Sequence, residues 1–288
     1  MSVVRSAGPA ATGIREPRLP VAQDMDGHRF AGLHYRRYEG DLFVGRVSGS
    51  DVGQGDLGDC YFLSSLVAFA DANPRAVRRA IKDNGDGTYT VTLQERKRGM
   101  VLPVPVRVDT RFPTDSRGEQ KFGKGLRSGP HGQELWPALF EKAYAASHEG
   151  YVHLNQGGDG GDALTSLTGR PCEELTPNRH SADALWQRLV NAARSRSPMV
   201  TSTPARRELE RRTGRRDLAG LLEDHYYAVL GAVERGGRRF VKLYSPLVDR
   251  TAAAVGTPSP RDNADRRLTL RLEDYRRDFD QLVVSSQG

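Results

Sequence analysis

Between Gln54 and Ser65 the chain reads Gln-Gly-Asp-Leu-Gly-Asp-Cys-Tyr-Phe-Leu-Ser-Ser, and no other stretch restricts its fold and chemistry as much. Glycines and acids build a turn, and an apolar helix begins at the sulfur of Cys60. A thiol at a helix start faces the unpaired N–H groups of the first turn and the positive end of the helix dipole. Both favour the thiolate, the form that attacks a carbonyl carbon. Gln54, six residues earlier on the same turn, can aim an amide N–H at the oxygen that becomes negative during such an attack. On this motif alone, a small buried apolar residue heading a core helix is the commoner fate of a free cysteine.

A second segment moves the balance toward chemistry. Asp224-His225-Tyr-Tyr-Ala-Val-Leu-Gly-Ala-Val233 alternates as a strand, breaks at Gly236-Gly237, and returns as Arg239-Phe-Val-Lys-Leu-Tyr-Ser245-Pro246. The pattern predicts a β-hairpin with a glycine turn. Antiparallel pairing brings His225, at the start of the first strand, beside Ser245, at the end of the second. A cysteine nucleophile needs such a pair: an imidazole base, and a short polar side chain to fix its ring. A strand-edge histidine with no such role is the plain alternative, and the chain holds six other histidines.

With these residues in view, the chain resembles a calpain-type cysteine protease reduced to its protease core. Gln54 to Tyr61 reproduce the family's nucleophile motif, with tyrosine where tryptophan is usual. His225 to Ala232 is similar to its histidine strand, and Glu134-Leu-Trp-Pro-Ala-Leu-Phe-Glu-Lys-Ala-Tyr144 to its helix ending in glutamate-lysine-alanine-tyrosine. Gly157-Gly158 with Leu167-Thr-Gly169 resembles the glycine-rich join between lobes, and Leu272 to Phe279 the short helix near the end of the core. The matches keep family order from about Asp41 to Val284. The resemblance implies an α+β, papain-like, two-lobed core. Residues 29–156 would form a mostly helical lobe carrying the nucleophile, and 157–288 an antiparallel β lobe carrying the histidine, with the site in the cleft between them. It implies an endopeptidase acting on protein or peptide substrates through a Cys60 acyl-enzyme. His225 would be the base, Ser245 the third member, and Gln54 with the Cys60 N–H the oxyanion site.

The departures bear on that reading. The family carries asparagine-proline-tryptophan-glycine where this chain has Ser245-Pro246-Leu247-Val248. A serine hydroxyl can accept the imidazole N–H, but it is shorter than an amide and turns more freely, and the tryptophan that shields the bond is gone. Asp249 is a neighbouring candidate for the same task. Two other readings stay open: a calpain-like binding module with impaired catalysis, and a papain-like acyl transferase or deamidase. No cofactor is required for the chemistry. The resemblance also implies a first-lobe calcium site at Asp51 and Glu134, hard carboxylate ligands suited to that ion. Turn and helix-dipole arguments account for the same two residues without a metal. The second-lobe calcium site is expected to be lost, because Thr251-Ala-Ala-Ala stands where acids belong.

Composition narrows the partners. The net charge of +7 rests on 37 arginines against six lysines. The densest run, Arg206 to Arg216, alternates with glutamates and lacks aromatic residues, which predicts a solvated loop or short helix rather than a nucleic-acid surface. Two cysteines make no disulfide framework, and Cys172 falls in an apparent loop. No window has the apolar length of a membrane helix, and the first twenty residues lack a signal-peptide core, so a cytoplasmic monomer, or export by another route, is expected. No EF-hand loop occurs. Residues 1–28 read as a flexible Ala/Gly/Pro/Arg-rich extension. Helices are predicted at Cys60–Ala70, from Pro74 to Ile81, after Glu134 and over Ala184–Ala193. Strands are predicted at Tyr89–Leu93, Val101–Val108 and Met199–Thr203.

Overall fold

The computed structural model describes residues 14, 16–20, 30–215, 218, 220–248 and 266–286. Its first half is assembled around one helix. β1 (His34–Arg37) leads through a 3₁₀ turn at Gly49–Asp51 to β2 (Val52–Gly53) and then to α1 (Cys60–Ala72). Every residue of α1 from Tyr61 to Ala70 is buried, not a single stripe. One flank of the helix packs on the first hydrophobic core and the other on strands of the second half. Asn73 then closes α1 and caps α2 (Pro74–Ala80): its Oδ1 accepts the Ala76 N–H at 3.0 Å. Pro74 sits in the first turn, where its missing N–H costs nothing.

β3 (Ile81–Asp83), β4 (Thr88–Lys97) and β5 (Met100–Asp109) form an antiparallel sheet in that order, and β6 (Arg111–Thr114) turns back to pair with β1. β7 (Lys124–Gly125) pairs with β2, and β8 (Ser128–Gly129) with β9 (Gly132–Gln133). α3 (Trp136–Ser147) begins two residues after Glu134 and is followed by α4 (Tyr151–Leu154). The first core joins Phe62, Leu66, Trp136, Phe140 and Tyr144, with the Phe62 and Tyr144 rings stacked 4.0 Å apart.

α5 (Gly160–Thr168) is capped by Asp159, whose side chain accepts the Gly161 and Asp162 N–H groups. Its Ala163, Leu164 and Leu167 pack into the first core, although the helix lies past the glycine-rich join at 157–158. β10 (Cys172–Leu175), α6 (Ala182–Arg194), β11 (Met199–Ser202), α7 (Arg206–Thr213), β12 (Tyr226–Arg235), β13 (Arg238–Tyr244), β14 (Arg267–Arg271), α8 (Leu272–Asp278) and β15 (Gln281–Ser285) complete the chain. Six of these strands make one antiparallel sheet in the order β10-β15-β11-β12-β13-β14. Leu185 and Leu189 of α6, with Tyr227, Val241, Tyr275 and Phe279, form a second core on this sheet. The architecture is α+β, with two cores and α1 between them. Among the described residues, no helix is long and apolar enough to cross a membrane.

Two expectations need correction. Residues 16–20, part of the expected flexible extension, are docked on the first core. The Glu16 carboxylate lies 2.6 Å from the buried Lys142 ammonium and 2.8 Å from Arg111, Tyr35 Oη donates to the Pro17 carbonyl, and Leu19 packs on the core. Asp109 alone leaves Lys142 and Arg111 an excess of positive charge, which Glu16 balances. Cys172 lies in a strand, not a loop, because Cys172–Leu175 pairs with Leu282–Ser285 and so completes the edge of the sheet. Residues 1–13, 15 and 21–28, Asp249 and Thr251–Ala254 lie outside the described residues.

Candidate active site

A cleft of about 560 Å³ opens between the halves, lined by Gln54, Gly58, Cys60, Gly158, His225 and Leu247 among others. Cys60 reaches it as the first residue of α1, so its sulfur lies at the end of the helix where N–H groups are unpaired. Gly158 forms the opposing rim. A Cβ there would lie 2.6 Å from the Tyr61 ring, so only glycine lets the rim approach the helix.

The electrostatics differ from the helix-start expectation. Burial dominates and pushes the Cys60 thiol up to about 12; a backbone N–H at Tyr226 opposes the shift, while the nearby charges of Asp59 and Asp224 add to it. Burial also lowers His225 to about 4. The expected bias toward thiolate is thus outweighed by desolvation, and in this conformation both groups are neutral near pH 7.

His225 is held on its backbone and on its ring. Its N–H donates to Thr203 Oγ1 at 3.2 Å, and its carbonyl accepts the Thr203 N–H at 3.0 Å. Asp224, just before it, takes a positive φ of 49°, a sparsely populated conformation for a non-glycine residue, at the bend that delivers the ring to the cleft. His225 Nε2 lies 3.0 Å from Ser245 Oγ. The hairpin makes this meeting, because β12 and β13 pair from Arg235–Arg238 at the turn to Ala228–Tyr244 at the open end. With Nε2 engaged by the hydroxyl, Nδ1 is the ring nitrogen left to take a proton. The Tyr227 ring meets the imidazole edge-on, 4.8 Å between centroids, and is fixed by the Leu222 N–H on its hydroxyl.

Gln54 is fixed by both lobes. Its N–H donates to Pro246 O at 2.8 Å, its carbonyl accepts the Val248 N–H, and its side-chain amide donates to Leu57 O at 2.9 Å. That leaves the second amide N–H for the cleft. Because Pro246 follows Ser245, this bridge couples the turn before the nucleophile to the residue that contacts the histidine.

Two residues beside the nucleophile carry chemistry that sequence reasoning did not assign. Asp59 and Glu141 are buried together behind Cys60, and burial raises both carboxyls: Asp59 to about 7, and Glu141 well above the usual range. Each carboxyl adds to the other's electrostatics, and Gly123 N–H donates to Glu141 Oε1 at 2.7 Å. Asp59 stands in the nucleophile motif and Glu141 in the matched helix, so their types were visible; their meeting across 82 positions was not.

The proposed calcium ligands Asp51 and Glu134 are both buried, on the same side of the first lobe. Asp51 Oδ2 accepts the Ser48 N–H at 2.8 Å, and Oδ1 lies 2.7 Å from Arg127 Nε. Glu134 Oε1 accepts the Val44 N–H at 2.7 Å; Oε2 has no hydrogen-bond partner. Calcium takes six to eight oxygens. Two of these four carboxylate oxygens accept a backbone N–H, and a third, Asp51 Oδ1, has no hydrogen bond but is ion-paired to Arg127, so the donor set as it stands, with a cation already against it, does not fit the ion. Among the described residues, no group of three or more His, Cys, Asp or Glu side chains is placed to hold a metal.

A cysteine at a helix start and a hydroxyl-held histidine thus line one cleft between the two halves of the chain, the residue types that a thiol protease uses. The chain belongs to the calpain family of cysteine proteases, whose family model matches residues 25–250. It is 31% identical over 239 residues to the calpain-type cysteine protease ADL1 of Oryza sativa subsp. japonica, covering 81% of this chain and 10% of that protein. It is 30% identical over 231 residues to human calpain-12, covering 78% of this chain and 30% of that one. The calpain-like protease palB/cpr-8 of Neurospora crassa is 26% identical over 275 residues, covering 85% and 28%. The chain thus spans a third or less of the length of these curated relatives.

Proposed function

We propose that this chain is a cysteine endopeptidase in which Cys60 forms the acyl-enzyme. His225 Nδ1 takes the thiol proton as sulfur attacks the peptide carbonyl, and the same proton is delivered to the leaving amine. The second amide N–H of Gln54 and the Cys60 backbone N–H bind the oxyanion. Water, activated by His225, then attacks the thioester and releases the acid. Ser245 orients the ring by accepting a hydrogen bond from Nε2–H. The observation that carries this reading is the 3.0 Å contact between His225 and Ser245 on the wall of the cleft that Cys60 also lines.

Casein cleavage tests it. Cys60→Ala should lower turnover by a factor of about 10⁴ or more, and undiminished cleavage by that variant ends the proposal. The raised thiol and lowered imidazole favour the binding-module reading, which predicts that a peptidyl epoxysuccinate leaves the half-buried Cys60 unmodified. Transfer to an added primary amine, in place of hydrolysis, would instead identify an acyl transferase on the same residues.

A further inference from the structure

The cation at the Asp51–Glu134 pocket is part of the chain. Arg127 places Nε 2.7 Å from Asp51 Oδ1 and directs Nη1 to the carbonyls of Val44 and Arg46, both at 3.2 Å. One planar group therefore meets a buried carboxylate and two backbone oxygens of the loop leading to the Gly49–Asp51 turn. Those are the oxygen types a calcium ion gathers, and a guanidinium gathers them with a permanent charge and a fixed fork of donors. Glu134 fixes the same loop from the other side through the Val44 N–H, so residue 44 is held at both its N–H and its carbonyl.

We propose that the Arg127 guanidinium occupies the position of a metal ion in this pocket, so that the loop before the nucleophile is ordered without calcium and the pocket takes calcium only when Arg127 is removed. Three oxygens that the ion would need are spent on Arg127. A divalent ion would also stand within reach of a fixed positive charge, which repels it. The inference concerns the loop and not the cleavage step, so it stands or falls separately from the protease reading.

Isothermal titration with calcium chloride, and thermal melts in calcium and in chelator, test it on the full chain. For the unaltered protein the titration should show no binding that Asp51→Asn removes, and the two melting temperatures should coincide. Arg127→Ala should melt lower in chelator by about 3 °C or more, recover in millimolar calcium, and lose that recovery when Asp51→Asn is added. Calcium binding by the unaltered protein that Asp51→Asn abolishes would overturn the proposal. So would an Arg127→Ala protein whose lowered melting temperature calcium does not restore. If Arg127→Ala does not fold, Arg127→Gln gives the same comparison, and the titration of the unaltered protein is decisive by itself.

Discussion

At the scale of single residues, the site is governed by desolvation. A thiol pushed up to about 12 beside an imidazole lowered to about 4 is not a preformed ion pair, so the proton must move as the carbon–sulfur bond forms. His225 acts as a base only when neutral. With its folded pKa below the ordinary value, activity should survive mild acid and be lost as pH falls through about 4, not near 6.5. A pH profile of kcat/KM reads this, and an acid limb at 6 or above would contradict it. Ser245 gives a second test. Its hydroxyl can donate as well as accept, so it only partly fixes which ring nitrogen is free. Ser245→Asn supplies an oxygen that only accepts and should raise kcat/KM, while Ser245→Ala removes about 1 kcal/mol of orientation, roughly a fivefold loss. Asp59, raised by burial to about 7 against an ordinary value of 3.8, binds its proton more tightly folded than unfolded. It therefore costs stability as pH rises from about 4 to 7. Melting temperatures of Asp59→Asn across that range should fall less than those of the unaltered protein.

At the scale of elements, the parts that were legible in the sequence are those whose causes are local. The α2 start follows from Asn73-Pro74, and the hairpin from two alternating runs around Gly236-Gly237, whose φ values of 54° and 70° suit a tight turn of the kind that joins right-twisted strands. Because a hairpin also fixes register, the meeting of His225 and Ser245 could be foreseen. What escaped depends on distant partners. β15 is a short apolar strand held between β10 and β11 by partners far away in the chain, while β14 alternates over only five residues, Arg267-Leu-Thr-Leu-Arg271, at the sheet's edge. The docking of residues 16–20 follows from a buried Lys142 and Arg111 that need a further acid, which no local pattern shows. The helix predicted from Cys60 is enclosed by both halves, which its own residues do not show. Its tight rim gives an element-scale prediction. Gly158→Ala puts a carbon 2.6 Å from the Tyr61 ring and should lower stability by about 1–3 kcal/mol in denaturant melts.

At the scale of the whole molecule, the two cores are joined by a few named contacts as well as by α1. Gln54 pairs with Leu247, and Ser64 Oγ donates to the Tyr226 carbonyl at 2.8 Å. Arg266, from the second half, reaches across to donate to Val52 O at 3.0 Å and Ser50 O at 3.3 Å, with its guanidinium over the Tyr244 ring. Partners separated by more than two hundred positions leave no trace in composition or spacing, which is why this clamp was invisible beforehand. Arg266→Ala should cost about 1–3 kcal/mol and speed amide exchange at Gln54 and Val248, where the lobes meet. Unchanged exchange there would show that the lobes are held without it.

The account depends on one sulfur being activated by one imidazole across the cleft. Mass spectrometry after treatment with a peptidyl epoxysuccinate measures that directly. The adduct should form on Cys60 and not on Cys172, and its rate should fall by roughly a hundredfold or more in His225→Ala. Equal modification of both cysteines, or a Cys60 rate indifferent to His225, would contradict it.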